Sequence, residues 1–236
     1  MELSGRNVVL TGVGRPGQVG EAVAEAFAER GARVFLVDRT DEHVRARADA
    51  LVARGLRAAG LAADLTDAAA VSVLADRVRD ATAGRLHALV HLAGGFSASG
   101  PVADSDPAVW QRQFAINATT AYLTARAFLP LLRGVKGAFV CFASEAALPG
   151  ARVANVSAYV ASKSAVVALV QAIAQEEHGK GVRANAVAPT TIRTADNVAA
   201  MSPDTPMVTR EAVADVVLWL CSDAARAISG QVVAVR

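Results

Sequence analysis

Asn7-Val8-Val9-Leu10-Thr11-Gly12-Val13-Gly14-Arg15-Pro16-Gly17-Gln18-Val19-Gly20 runs directly into EAVAEAFAER at residues 21–30. The first five residues are mostly apolar and β-branched, which predicts a strand. In the second run Ala22, Val23, Ala26 and Phe27 share one helical face, while Glu21, Glu25 and Glu29 take another. That pattern predicts an amphipathic helix, ended by Gly31. Between the two lie Gly12, Gly14 and Gly17, a literal GxGxxG. Glycines let the chain turn tightly and let a pyrophosphate approach backbone N–H groups at a helix N-terminus. Strand, glycine turn and helix in this order predict the first unit of a dinucleotide-binding sheet.

The alternation continues along the chain. Strands are predicted at residues 33–38, 56–63, 86–92, 138–143, 182–188 and 231–235. Helices are predicted from Thr40-Asp41-Glu42 to about 54, from Thr66-Asp67 to about 83, and at 157–178 and 210–222. Residues 107–132 read as one long helix, entered through Asp104-Ser105-Asp106-Pro107. Trp110 and Trp219 read as anchors of their helices. Most strands are apolar on both faces. Together these features predict an α/β chain with a doubly wound parallel sheet of about seven strands and helices on both faces. No linker, repeat or composition break divides it, so residues 1–236 are expected to form a single domain. The least regular stretch, about 190–209, follows the sixth strand and is expected to be a substrate loop.

Composition narrows the partners. The 236 residues are 53% hydrophobic and 19% charged, with 24 basic and 22 acidic residues and a formal net charge of +2. This balance supplies no basic surface for nucleic acid or an anionic membrane. The N-terminus does not read as a signal peptide, and no run of ~18 residues is free of charge or glycine, so no membrane span is expected. Cys141 and Cys221 read as free buried thiols, which fits a reducing compartment and a cytoplasmic protein. The four histidines are scattered without ligand spacing, so no metal site is expected.

Two further features carry chemistry. Asp38 ends the second strand, 21 residues after Gly17, where a carboxylate can hydrogen-bond adenosine ribose hydroxyls and repel a 2′-phosphate. This favours NAD(H); Arg15 and Arg39 keep NADP(H) open, since either can pair with that phosphate. Tyr159 and Lys163 are spaced i, i+4 at the start of a helix and so share a face. A phenol titrates near ~10 when unperturbed, and a neighbouring ammonium is expected to lower that value and make the pair a proton-transfer device.

With these residues in view, the chain resembles the short-chain dehydrogenase/reductase family over nearly its whole length. The resemblance rests on Thr11-Gly12 and the glycine turn, Ala63-Asp64-Leu65, Leu92-Ala93-Gly94, Asn117, Ser144, Tyr159-x-x-x-Lys163, and Asn185-Ala-Val-Ala-Pro189 with Thr194 beyond. It implies a Rossmann fold and an NAD(P)(H)-dependent oxidoreductase that interconverts a carbonyl and a secondary alcohol. By resemblance Tyr159 is the general acid/base and Ser144 orients the carbonyl oxygen. Lys163 lowers the Tyr159 pKa and holds the nicotinamide ribose, and Asn117 seats a water of a proton relay. Gly12, Gly14, Gly17 and Val19 line the pyrophosphate, Asp38 and Arg39 the adenosine ribose, and Asp64 and Leu65 the adenine. Ala93, Gly94 and Pro189 line the cofactor, and Thr194 bonds the carboxamide. Family members assemble mostly as tetramers through their long helices, which implies a homo-oligomer, tetramer or dimer. The chain also departs from the family pattern. Its glycine turn is about two residues longer, His91-Leu92 replaces Asn-Asn, Pro189-Thr190 replaces Pro-Gly, and the 15 residues from Ser144 to Tyr159 exceed the usual spacing by about two. A mainly apolar small-molecule substrate is expected. A narrower similarity to dihydropteridine reductases, through Leu92–Phe96 and Pro189–Thr194, is opposed by Ser144. A dinucleotide-sensing protein without turnover is the remaining alternative.

Overall fold

The computed structural model describes residues 2–236. Its strands are β1 (Asn7–Thr11), β2 (Arg33–Asp38), β3 (Ala58–Ala62), β4 (Ala88–His91), β5 (Ala138–Phe142), β6 (Arg183–Pro189) and β7 (Val232–Val235). They form one parallel sheet in the order β3-β2-β1-β4-β5-β6-β7. The helices are α1 (Val19–Glu29), α2 (Asp41–Val52), α3 (Ala68–Thr82), α4 (Pro107–Gln113), α5 (Thr120–Arg133), α6 (Ser157–Glu176), α7 (Ala195–Ala200) and α8 (Arg210–Cys221). Chain direction across the sheet reverses between β1 and β4, the place where an α/β sheet opens a crevice at its carboxyl edge.

Strand periodicity divides the core in two. Val9, Phe35, Leu89, Phe139, Cys141, Ala184 and Ala186 point to the face covered by α3, α5 and α6. Val8, Leu10, Val34, Leu36, Val90, Val140 and Val187 point to the face covered by α1, α2 and α8. Burial on both faces explains why these strands are continuous apolar runs rather than alternating ones.

Several local expectations change in the structure. The run predicted as one helix over 107–132 is interrupted: α4 passes through a π-helical turn, Phe114–Thr119, before α5. Asn117 lies in that turn. Such insertions recur at functional sites because they re-aim side chains without breaking the helix. Asp67 and Asp106 cap their helices as expected, each accepting a backbone N–H at 2.8 Å. Thr40 makes no side-chain cap; instead Asp38 Oδ1 accepts from Arg39 N at 2.8 Å. Residues 190–209 are not wholly irregular, since they hold α7 and a bridge between Ile192 and Val208. Trp110 and Trp219 are not buried anchors: both lie on the exposed surface, and Trp110 packs on Phe114.

The helix α6 is long and apolar enough, with a mean hydropathy of 1.4, to cross a membrane by length and composition. Here it lies on the sheet, burying Ala158, Ser162, Lys163, Val166, Val170, Ile173 and Ala174. Its C-terminus is tied to that of α5 by Glu177, whose side chain is only 3% exposed. Arg133 binds it through Nε and Nη2 at 2.8 and 2.7 Å, and Lys180 Nζ adds a bond at 2.9 Å. The Arg133 guanidinium foremost holds the carboxyl down to about 2, against the opposing effect of burial. A carboxylate depressed in the folded state stabilises above its unfolded value, and that stabilisation is lost as pH falls toward the folded one. Glu177→Gln is therefore expected to destabilise the protein by about 1–2 kcal/mol at neutral pH, discounted for the half-exposed partners. The gap between urea melts of the two proteins should narrow as pH falls below about 4.5 and close only as it falls through about 2.

Candidate active site

At the switch point Thr11 pairs with His91, and His91 pairs with Cys141 of β5. The loops leaving these strands therefore start from one level. The glycine turn leaves β1 through Gly12, at φ +76°, where a Cβ would meet Ala93 N at 2.8 Å. Gly20 has the same close-approach role: its Cβ would lie 2.6 Å from Gly12 O, so α1 can pack this tightly only on a glycine. Gly20 was not singled out from the sequence because it lies outside the GxGxxG. Gly14 packs against Asp38, whose carboxyl carbon would lie 2.5 Å from an added Cβ. The acidic residue at the end of β2 and the glycine turn are thus in contact.

Gly17 departs from the expected phosphate cradle. Its N–H donates to Glu21 Oε2 at 2.8 Å, and its carbonyl accepts from Ala195 N at 3.0 Å. The Glu21 carboxylate is balanced by Arg47 at 2.6 Å and Arg210 at 3.3 Å. Arg15 reaches across to Asp196 of α7 at 2.6 Å and is otherwise exposed, as is Arg39. Arg15 and Gly17 therefore join the lengthened turn to the loop after β6. Val19 begins α1, half-buried. Asp64 spends Oδ1 on Thr66 N and Oγ1, which hold its pKa low, and Leu65 is buried beside it. Pro189 closes β6, and Thr194 caps α7 through Asn197 N at 3.2 Å.

The residues expected to carry catalysis converge on the far side of the crevice. Lys163 is 6% exposed, and its Nζ donates to Phe142 O at 2.8 Å. Burial lowers its pKa to about 8. An ammonium has three donors, so two remain for a ligand. Gly94 closes the space between Lys163 and Asn117, since a Cβ there would lie 2.5 Å from Asn117 Oδ1 and 3.2 Å from Lys163 Nζ. Asn117 Oδ1 accepts from Gly95 N at 2.9 Å. Its Nδ2 faces Gly95 O, Gln113 Oε1 and Ser162 Oγ at 3.0–3.2 Å. Both amide hydrogens are committed, so the side chain offers no donor for the expected relay water.

Tyr159 sits four residues before Lys163 on α6, with Phe96 edge-on at 5.0 Å. Burial pushes its phenol up, and the Ser144 hydroxyl opposes that. The expectation that Lys163 lowers the phenol directly is not met; its ammonium is turned to Phe142 O. Ser144 leaves the end of β5 and accepts from Ala146 N at 3.3 Å. Gln113, Ser162 and Phe96 were missed from the sequence. The first two had a signal in spacing: Gln113 is one helical turn before Asn117, and Ser162 lies between Tyr159 and Lys163.

The sequence and fold have matching counterparts. The family described as enoyl-(acyl carrier protein) reductase matches residues 12–236. The chain is 35% identical to 2-(S)-hydroxypropyl-CoM dehydrogenase 3 of Xanthobacter autotrophicus, over 98% of this chain and 95% of that one. It is 35% identical to galactitol 2-dehydrogenase of Rhizobium johnstonii, over 98% and 93%. A solved 7α-hydroxysteroid dehydrogenase, complexed with NADH and 7-oxo glycochenodeoxycholic acid, superposes with a TM-score of 0.90 at 26% identity, covering 99% of this chain and 94% of that one. With its seven-stranded parallel sheet and dehydrogenase relatives along the whole length, the chain belongs to the short-chain dehydrogenase/reductase family of NAD(P)-dependent oxidoreductases.

Proposed function

We propose that this protein interconverts an apolar carbonyl compound and its secondary alcohol, with NAD(H) as the preferred cofactor. The observation that carries the reading is the buried Lys163 ammonium with two donors to spare, beside Tyr159 and across Gly94 from Asn117. The residues fit a dinucleotide: a ribose diol would satisfy the spare donors of Lys163, and the Asp38 carboxylate stands against the glycine turn at Gly14, where it can accept from a second ribose. Gly12, Gly14, Val19, Asp38, Asp64, Leu65, Ala93, Gly94, Pro189 and Thr194 would hold the cofactor along the crevice. When bound, it supplies the hydride equivalent. The chain's own residues manage the proton and the oxygen. Ser144 hydrogen-bonds the carbonyl oxygen and favours its developing negative charge. Tyr159, kept neutral by burial, donates the phenolic proton to that oxygen in reduction and accepts it back in oxidation. Lys163 would position the ribose hydroxyls beside Tyr159 with its two spare donors.

Asp38 supports NAD(H), because its carboxylate rests on Gly14 where a 2′-phosphate would meet like charge, while Arg15 is paired with Asp196. An apolar substrate is supported by exposed Phe96, Val153, Val198 and Met201 on the loops after β4, β5 and β6. Residues 190–209 serve as the substrate loop. Exposed Trp110 and Tyr122 on α4 and α5 support assembly with further copies; sedimentation velocity reporting only a monomer would refute this.

The test is an initial-rate screen of apolar ketones with NADH and NADPH. Wild-type protein is expected to oxidise NADH in the presence of at least one ketone and to prefer it over NADPH. Tyr159→Phe should lower kcat by about 10²–10⁴-fold while NADH still binds. Asp38→Asn should move the kcat/KM ratio toward NADPH by roughly tenfold, as one like charge is removed. Turnover that survives in Tyr159→Phe, or binding of neither cofactor, would overturn the reading.

A further inference from the structure

His91 is an unusual residue at the floor of this crevice: it replaces an amide side chain in the family pattern, is 1% exposed, and makes no contact that the proposed chemistry uses. Its ring lies between two hydroxyls, with Nδ1 3.0 Å from Thr11 Oγ1 and Nε2 3.2 Å from Thr120 Oγ1. Both hydroxyls have second partners. Thr120 Oγ1 donates to Ile116 O at 2.7 Å, and Thr11 Oγ1 accepts from Ala93 N at 3.3 Å.

These partners fix the direction of every proton. The Thr120 hydrogen goes to the shorter bond, onto Ile116 O, so toward the ring Thr120 can only accept. Nε2 must then carry the imidazole hydrogen. Nδ1, bare in a neutral ring, accepts from the Thr11 hydroxyl, which in turn accepts from Ala93 N–H. The result is a single directed chain: Ala93 N–H, Thr11 O–H, His91, Thr120 O–H, Ile116 C=O. Burial foremost, and then the Lys163 charge, hold the ring neutral, with its pKa lowered to about 3.

The two ends of this chain matter. Ala93 adjoins Gly94, which packs against both Asn117 and Lys163. Ile116 lies in the π-helical turn, one residue before Asn117. Asn117 in turn grips Gly95 and reaches Ser162 on the helix that carries Tyr159 and Lys163. Thr120, which receives the histidine bond, is the first residue after the π turn.

We infer that His91 is a positioning residue: as a neutral Nε2–H imidazole it pins the π-helical turn carrying Asn117 to the ends of β1 and β4, and so sets the width of the cofactor crevice at Gly94. The pinned geometry belongs to the fold itself; only its effect on cofactor rests on the function proposed above. An asparagine can supply one acceptor and one donor in the same place, whereas leucine supplies neither.

The experiment has three readouts on the full-length protein. Long-range ¹H–¹⁵N spectra of the wild type should show His91 as the Nε2–H tautomer, unchanged through neutral pH; an Nδ1–H ring or a charged ring would overturn the inference without any variant. Hydrogen exchange of His91→Leu should be faster by roughly tenfold or more at residues 114–120 and 93–95 than in the rest of the protein, since a buried hydroxyl pair loses its partner. His91→Asn should restore most of that protection. NADH binding by calorimetry should weaken in His91→Leu and recover in His91→Asn. Exchange that rises uniformly over the protein, in step with a lower melting temperature, would mean a merely structural histidine. If His91→Leu does not fold, the tautomer and the His91→Asn protection pattern still decide. Local protection changes without any NADH binding in the wild type would sink the cofactor reading while leaving the positioning role intact.

Discussion

The pairing of Thr11 with His91 at the reversal of the sheet governs how the rest of the molecule is arranged. Two parallel strands end there at the same level, β1 leading into the glycine turn and β4 into Ala93-Gly94, and the helices that follow, α1 and α5, cover opposite faces of the sheet. Hydrophobic burial on both faces of the sheet holds that register, because a slip by one residue would exchange the two cores. Once register is set, Asp38, Ser144 and Thr194 arrive at the same edge from β2, β5 and β6. The site is a consequence of strand ends, with helices supplying the side chains that need fixed direction.

Around that edge the interior is polar yet almost wholly satisfied. Asn117, Gln113, Ser162, His91, Thr11 and Thr120 spend their donors and acceptors on one another and on backbone. A network of this kind rigidifies its surroundings when complete and destabilises them when broken. Lys163 is the exception, a buried cation with donors to spare. The contrast supports the proposal that a ligand binds beside Lys163. The longer glycine turn adds a second theme. Its Gly17 and Arg15 bind α7, so the loop after β6 is fastened to the part of the chain expected to meet the pyrophosphate.

Much of this was legible in the sequence, for physical reasons. Strand and helix periods differ, so the alternating sheet and its seven strands could be read, as could the caps at Asp67 and Asp106. Asp38, Tyr159 and Lys163 could be placed because each sits at a strand end or on a helical spacing that fixes its direction. The π turn could not be read, since one added residue in a helix leaves an apolar pattern that still looks helical. Nor could the effect of Lys163 on Tyr159. Spacing puts the two on one face, but burial and a strand-end carbonyl decide where the ammonium points and which way the phenol shifts. The ring partners of His91, Thr11 and Thr120, come from two segments distant in sequence, and only the folded chain brings them together.

In the function proposed, the crevice between β1 and β4 seats a dinucleotide so that the spare donors of Lys163 are filled beside Tyr159. A crystal structure of the protein grown with NADH tests it most directly. The adenosine ribose is expected against Asp38 and the nicotinamide ribose hydroxyls within hydrogen-bonding distance of Lys163 Nζ, with Gly94 beneath them. A cofactor bound elsewhere, or a ribose that leaves Lys163 turned only to Phe142, would contradict it.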